Sequence, residues 1–182
     1  MRRTMINLKA EVASRGVVSD LLQEPGDAVL IQRGLPRWLL IKCPCGCGEE
    51  IPVNLDKRAG KAWRLYRGAG GMSLFPSVWR DTGCEAHFIV WRNQIVMFGG
   101  RMSSAISPGQ SLDLTNLARR TFATWPAADF VSYVDVADQL GEIPWDVQEA
   151  CFRLVSAGLM IEGTGGTSGC FRKIDSHNAK KD

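Results

Sequence analysis

The chain has 182 residues, 45% hydrophobic and 23% charged, a composition that supports a folded core and excludes wholesale disorder. Mean hydropathy is −0.08 and no apolar run nears the roughly 18 residues of a membrane helix, so no membrane partner is expected. The net charge of +3 is unevenly spread: residues 1–125 carry 17 Lys and Arg against 10 Asp and Glu, whereas residues 126–175 carry three against eight. That asymmetry predicts two units with different partners.

The first two dozen residues are weakly patterned. Met1-Arg2-Arg3-Thr4 is basic but no apolar stretch follows, so a cytoplasmic protein is expected. From Gly26 the chain reads as short strands with glycine turns. Residues 26–33 and 38–42 flank the turn Gly34-Leu35-Pro36-Arg37, residues 49–55 return, and residues 62–67 and 72–75 flank Gly68-Ala69-Gly70-Gly71. Residues 88–91 and 94–98 pair through Arg92-Asn93. Gly99 to Gly109 is small and polar and reads as a linker.

Beyond the linker the period becomes helical. Leu112, Leu114, Leu117, Ala118 and Phe122 mark one helix, and Val131 to Leu140 a second, stopped by Gly141. Pro144 opens a third, closed by Gly158. Residues 159–162 and 170–174 then bracket a glycine-rich tip. Three helices followed by a hairpin resembles a winged helix, most closely in Val136-Ala137-Asp138-Gln139-Leu140-Gly141 and in Arg153 to Leu159. The tip lacks the Gly-Lys-Ser/Thr ending of a phosphate loop.

Cysteine spacing carries the clearest chemistry. Cys43, Cys45 and Cys47 fall within five residues, and Cys84-Glu85-Ala86-His87 supplies a C-x-x-H further on. Neighbours this close pair poorly with one another, so they read as metal ligands before disulfides. The metal candidates are therefore Cys43, Cys45, Cys47, Cys84 and His87, with Cys₃His the expected set and either Cys45 or Cys47 spare. Thiolates with an imidazole favour Zn2+. Surplus ligands argue for a structural ion that stiffens a thin β-rich core, and no catalytic residue is assigned. Cys151 and Cys170 read as small core residues, and Glu49 and Glu50 as the exposed start of a strand.

The expected fold class is therefore α+β. It comprises a β-rich zinc-binding domain over 1–98, a linker over 99–111, a winged-helix-like domain over 112–175 and a polar tail over 176–182. Winged helices often read DNA with the third helix. Here the expected exposed start of that helix is Trp145, Asp146, Gln148 and Glu149, so a protein partner is favoured over nucleic acid. Arg58, Lys61, Arg64, Arg67, Arg80 and Arg92 interleave with Trp63, Tyr66, Trp79 and Trp91, a pattern that can stack single strands, but core aromatics and solvated arginines explain it more simply.

Pro25-Gly26, Trp38, Cys43-Pro44-Cys45-Gly46-Cys47-Gly48-Glu49, Trp63-Arg64-Leu65, Leu74-Phe75-Pro76-Ser77-Val78 and Cys84-Glu85-Ala86-His87-Phe88 together resemble DUF6527, a family of bacterial cysteine-rich proteins; the resemblance covers roughly residues 25–98. It implies a metal-binding accessory protein, with some members accompanying bacterial ubiquitin-like conjugation systems thought to act against phages. The leading expectation is a non-enzymatic, zinc-stabilised adaptor, E3-like, contacting an E1-like, E2-like or ubiquitin-like protein. The alternatives are a zinc-containing winged-helix nucleic-acid regulator, or a zinc hydrolase acting on a ubiquitin-like tag with Glu49 or Glu50 as base.

Overall fold

A computed structural model describes residues 4–98, 114–126 and 129–174. The fold is mixed α+β, mostly strands with three helices among the described residues, and the chain divides into two compact units, residues 1–110 and 111–182. The linker expected over 99–111 and the tail expected over 176–182 lie outside the described residues. No helix among the described residues is long and apolar enough to cross a membrane.

Among its described residues the first unit holds nine strands: β1 (Thr4–Met5), β2 (Asn7–Val12), β3 (Asp27–Arg33), β4 (Leu35–Lys42), β5 (Glu50–Asn54), β6 (Arg64–Gly68), β7 (Gly71–Trp79), β8 (His87–Trp91) and β9 (Gln94–Phe98). They form a four-stranded sheet in the order β2-β3-β4-β5 and a five-stranded sheet in the order β1-β9-β8-β7-β6. Their inner faces share one core, in which Leu30, Leu39 and Ile41 meet Leu74, Phe88 and Val90. The four-stranded sheet is covered on its other face as well. There Val29, Ile31 and Leu40 pack against Val18 and Leu22, at the 3₁₀ turns Arg15–Val17 and Ser19–Leu21. Burial on both faces explains why β3 runs apolar instead of alternating.

β1 and β2 fall in the stretch that reads as unpatterned. β2 pairs parallel to β3, and its polar run Asn-Leu-Lys-Ala-Glu-Val alternates in burial as an outer strand does. Gly26, with φ +91°, lets the chain pass under β1; a Cβ there would lie 2.3 Å from the carbonyl oxygen of Met5.

The second unit contains α1 (Leu114–Thr124), β10 (Val131–Ser132), α2 (Tyr133–Leu140), α3 (Pro144–Ser156), β11 (Met160–Glu162) and β12 (Cys170–Lys173), with the strands ordered β10-β12-β11. Ser132 caps α2 by accepting the Val134 N–H, and Gly141 in the left-handed region ends it. Trp125, Val136, Val147, Cys151, Leu154 and Phe171 make its core. Asp146 does not belong to an exposed helix start: it is 1% exposed, because it lies one turn before Ala150, which packs on Leu114 and Leu117.

Candidate active site and metal centre

The metal centre is built at the tip of one hairpin. β4 and β5 pair as far as Lys42 with Glu50, and the ladder continues with the Cys43 N–H donating to the Glu49 carbonyl at 2.8 Å. The Gly46 N–H donates back to the Cys43 carbonyl at 3.2 Å, and Gly46 (φ +90°) and Gly48 (φ +85°) supply the positive φ that folds Cys43, Cys45 and Cys47 onto one side. Cys84 arrives from the other sheet, in the connection between β7 and β8.

The sulfurs of Cys43, Cys45, Cys47 and Cys84 all lie within 4.8 Å of one another. Cys43 Sγ is 3.2 Å from Cys45 Sγ and 3.6 Å from Cys84 Sγ, far beyond disulfide length, and all six cysteines are free. A tetrahedral thiolate site with metal–sulfur bonds of about 2.3 Å has sulfur–sulfur edges of about 3.8 Å, so four cysteines can hold a metal ion here. Burial raises the Cys43 thiol strongly. The backbone N–H of Cys45 pulls it down, and the three other sulfurs push it up again. Glu49 buttresses the corner: its carboxylate pairs with Arg80 Nη1 at 2.6 Å and accepts from Cys47 Sγ at 3.9 Å. Glu50 starts β5 opposite Lys42.

His87 is not among the four residues of this group, where Cys₃His is the expected set. It is the first residue of β8 and pairs with Trp79 across to β7, so the pleat sends its ring to a face of the sheet and away from the loop that carries Cys84. Both Cys45 and Cys47 join the sulfur group, leaving none spare.

The imidazole has another partner. His87 Nε2 lies 3.1 Å from the hydroxyl oxygen of Ser77. Ser77 reaches it because the β7–β8 ladder shifts between Leu74 and Val78: Leu74 pairs with Val90 but Val78 pairs with Phe88, so β7 carries two extra residues. Such bulges re-aim side chains, and this one contains Ser77. The Trp63 indole N–H donates to the Ser77 carbonyl at 3.1 Å and pins the bulge. Trp79 and Phe98 flank the imidazole, with ring centroids 5.8 and 4.3 Å from it. Phe98 is also the cross-strand partner of His87 on β9.

A serine hydroxyl within hydrogen-bond reach of an imidazole is the nucleophile–base arrangement of acyl-transfer enzymes. Residues 16–98, less than half of the chain, match the family described as the bacterial ubiquitination-like system serine protease (BubE). No curated protein and no solved structure matches the chain. The matched family is BubE where the sequence resembles DUF6527; the bacterial ubiquitination-like setting is common to both readings. BubE is named a serine protease, which departs from the expected adaptor role. Ser77, His87 and all four clustered cysteines fall inside the matched stretch.

Proposed function

We propose that this protein is a serine hydrolase of a bacterial ubiquitination-like system, with Ser77 as nucleophile and His87 as base. Its substrate is then a polypeptide bond in a ubiquitin-like protein, its precursor or its conjugate. The 3.1 Å contact between Ser77 Oγ and His87 Nε2 carries the reading, and the match to a family named for serine proteolysis supports it.

The chemistry is conventional acyl transfer. Ser77 Oγ attacks the carbonyl carbon as its proton passes to His87 Nε2. The tetrahedral adduct collapses, the C–N bond breaks, and His87 returns the proton to the leaving amine. Water, deprotonated by His87, then attacks the acyl-serine and releases the acid with Ser77 restored. Trp63 fixes the backbone of the nucleophile, while Trp79 and Phe98 hold the imidazole plane.

The metal belongs to positioning. Cys43, Cys45, Cys47 and Cys84 suit Zn2+, and four thiolates leave no open coordination place for water. Bound zinc supplies rigidity: it ties the β4–β5 tip to residues 80–86, whose two ends carry Trp79 and His87. Glu49 is engaged by Arg80, which disfavours it as a base of a zinc hydrolase.

The second unit gives room for the adaptor idea. Its order of helix, strand, helix, helix, strand, strand supports reading it as winged-helix-like, and Phe152 is 40% exposed on α3. We read it as a contact for a protein component of the same system.

The decisive test is labelling with a small alkyl fluorophosphonate followed by mass mapping. An adduct on Ser77 is expected. Ser77→Ala should abolish it, and His87→Ala should slow it by at least about 10³-fold with metal content unchanged. Folded, metal-loaded protein that leaves Ser77 unmodified would overturn the assignment.

A further inference from the structure

We infer that the substrate reaches Ser77 as an extended polypeptide segment, added as a strand along the edge of β7 at Trp79, which no strand among the described residues covers. This rests on the hydrolase reading and goes further, because it specifies chain conformation and the backbone groups that read it.

The Arg80 N–H donates to the Ala86 carbonyl at 3.0 Å, and Val78 pairs with Phe88 two positions back. Bonded and non-bonded pairs alternate in an antiparallel ladder, so Arg80 and Val78 spend their backbone groups on β8. Trp79, between them, aims its N–H and C=O at the opposite side. That side is where β6 would run, but β6 begins only at Arg64, whose partner on β7 is Phe75. Ser77 faces the same edge, and there its carbonyl takes the Trp63 indole N–H. The next donor and acceptor along this edge are those of Trp79, two residues from the nucleophile.

An edge N–H and C=O in this disposition are what an added strand uses. Most folded surfaces cannot supply them, because their own backbone groups are already paired everywhere but at an open strand edge. An extended segment can, and pairing it to Trp79 brings its backbone alongside Ser77. The side chains agree: Trp79 is 70% exposed and Phe98 38%, although both flank His87. Together they offer an apolar surface at the reacting pair. The substrate is thus a flexible tail or linker with a bulky apolar side chain near the cleaved bond. A compact domain surface does not fit.

The test compares two probes on the full, metal-loaded chain: a small alkyl fluorophosphonate, and an acetylated tri-leucyl diphenyl phosphonate with each amide N-methylated in turn. One methylated position should slow Ser77 labelling at least tenfold, and its immediate neighbour should have little effect, because alternate amides of a strand face away. Trp79→Ala keeps the backbone N–H and Trp79→Pro removes it. The ratio of peptidyl to small-probe rates should fall further for proline than for alanine. If the small probe labels Ser77 but no methylated position matters, strand addition is wrong and the hydrolase stands. If neither probe labels Ser77, both fall together.

Discussion

Each unit buries a cysteine completely, and the two residues live in opposite surroundings. Cys43 meets three other sulfurs at the tip of a hairpin. Cys151 sits on α3 among Val136, Val147, Leu154 and Phe171. Both thiols are raised, Cys43 by burial and neighbouring sulfur, Cys151 to about 12 by burial and the nearby charge of Glu162. In an apolar core a protonated thiol is simply a small hydrophobe. In a sulfur cluster it is a ligand awaiting charge compensation. The four sulfurs thus give the first unit the means for a metal cross-link between its sheets, beside their shared apolar core, whereas the second is held by packing around Cys151. The proposed Ser77–His87 pair lies in the unit that holds the sulfur group.

Removing the metal should separate the units most sharply. Structural zinc contributes on the order of 10 kcal/mol in small modules, comparable with the whole stability of a domain. Chelation, or Cys84→Ser, should therefore melt the first unit and end Ser77 labelling, with the second unit's calorimetric transition unmoved. His87→Ala should lose labelling yet keep full metal content. A chelator that strips the metal and leaves labelling intact would break the comparison, as would a chain with no metal to strip.

How much of this could be read beforehand follows from the range of the contacts. The cysteine run is legible because spacing of two residues is itself the chemistry. Most of β3 to β9 and of the three helices is legible from period and turn residues, but Leu35 to Arg37 reads as a turn and lies in β4, Pro76 to Trp79 reads as no strand and lies in β7, and Val131-Ser132 reads as helix and forms β10. β2 is not legible, since a polar strand on the outside of a sheet has no apolar signature until its partner is known. Ser77 and His87 are hidden for a stronger reason. Ten residues separate them, a ladder shift of two brings them together, and C-x-x-H reads just as well as a ligand set. A signal existed: pairing Trp79 with His87 places Ser77, two residues back, on the same face. Finding it requires the register, which depends on contacts that sequence spacing does not encode.

The packing half of the comparison can be sharpened through Phe171. It is fully buried, meets Trp125 edge-on at 6.1 Å, and its carbonyl accepts the Trp125 indole N–H at 2.9 Å. Phe171→Ala should cost about 3–5 kcal/mol. In a unit of this size that is a fall of roughly 20 °C in its transition. Metal content and Ser77 labelling should stay at wild-type levels if the second unit stands on packing independently of the first.

The smallest effect tests whether the first unit has a polar clamp beyond its metal. Asp27 is 1% exposed at the start of β3; its Oδ2 accepts the N–H groups of Gln23 (3.2 Å) and Glu24 (2.9 Å), and Lys9 Nζ is 3.4 Å from Oδ1. Burial pushes its pKa up, but the Glu24 N–H, the Lys9 ammonium and the Gln23 N–H outweigh it, so the folded value lies below the ordinary one. A depressed carboxylate stabilises the fold above its unfolded pKa of about 3.9 and loses that contribution as pH falls through the folded value. Asp27→Asn should therefore cost about 1–3 kcal/mol near pH 7, read from the urea midpoint of the first unit. The gap should hold down to about pH 5 and close below about pH 4. Metal content measured at each pH separates this from thiolate protonation. A gap independent of pH would mean that the side chain acts by shape alone, and the metal would then be the first unit's one electrostatic support among the groups tested.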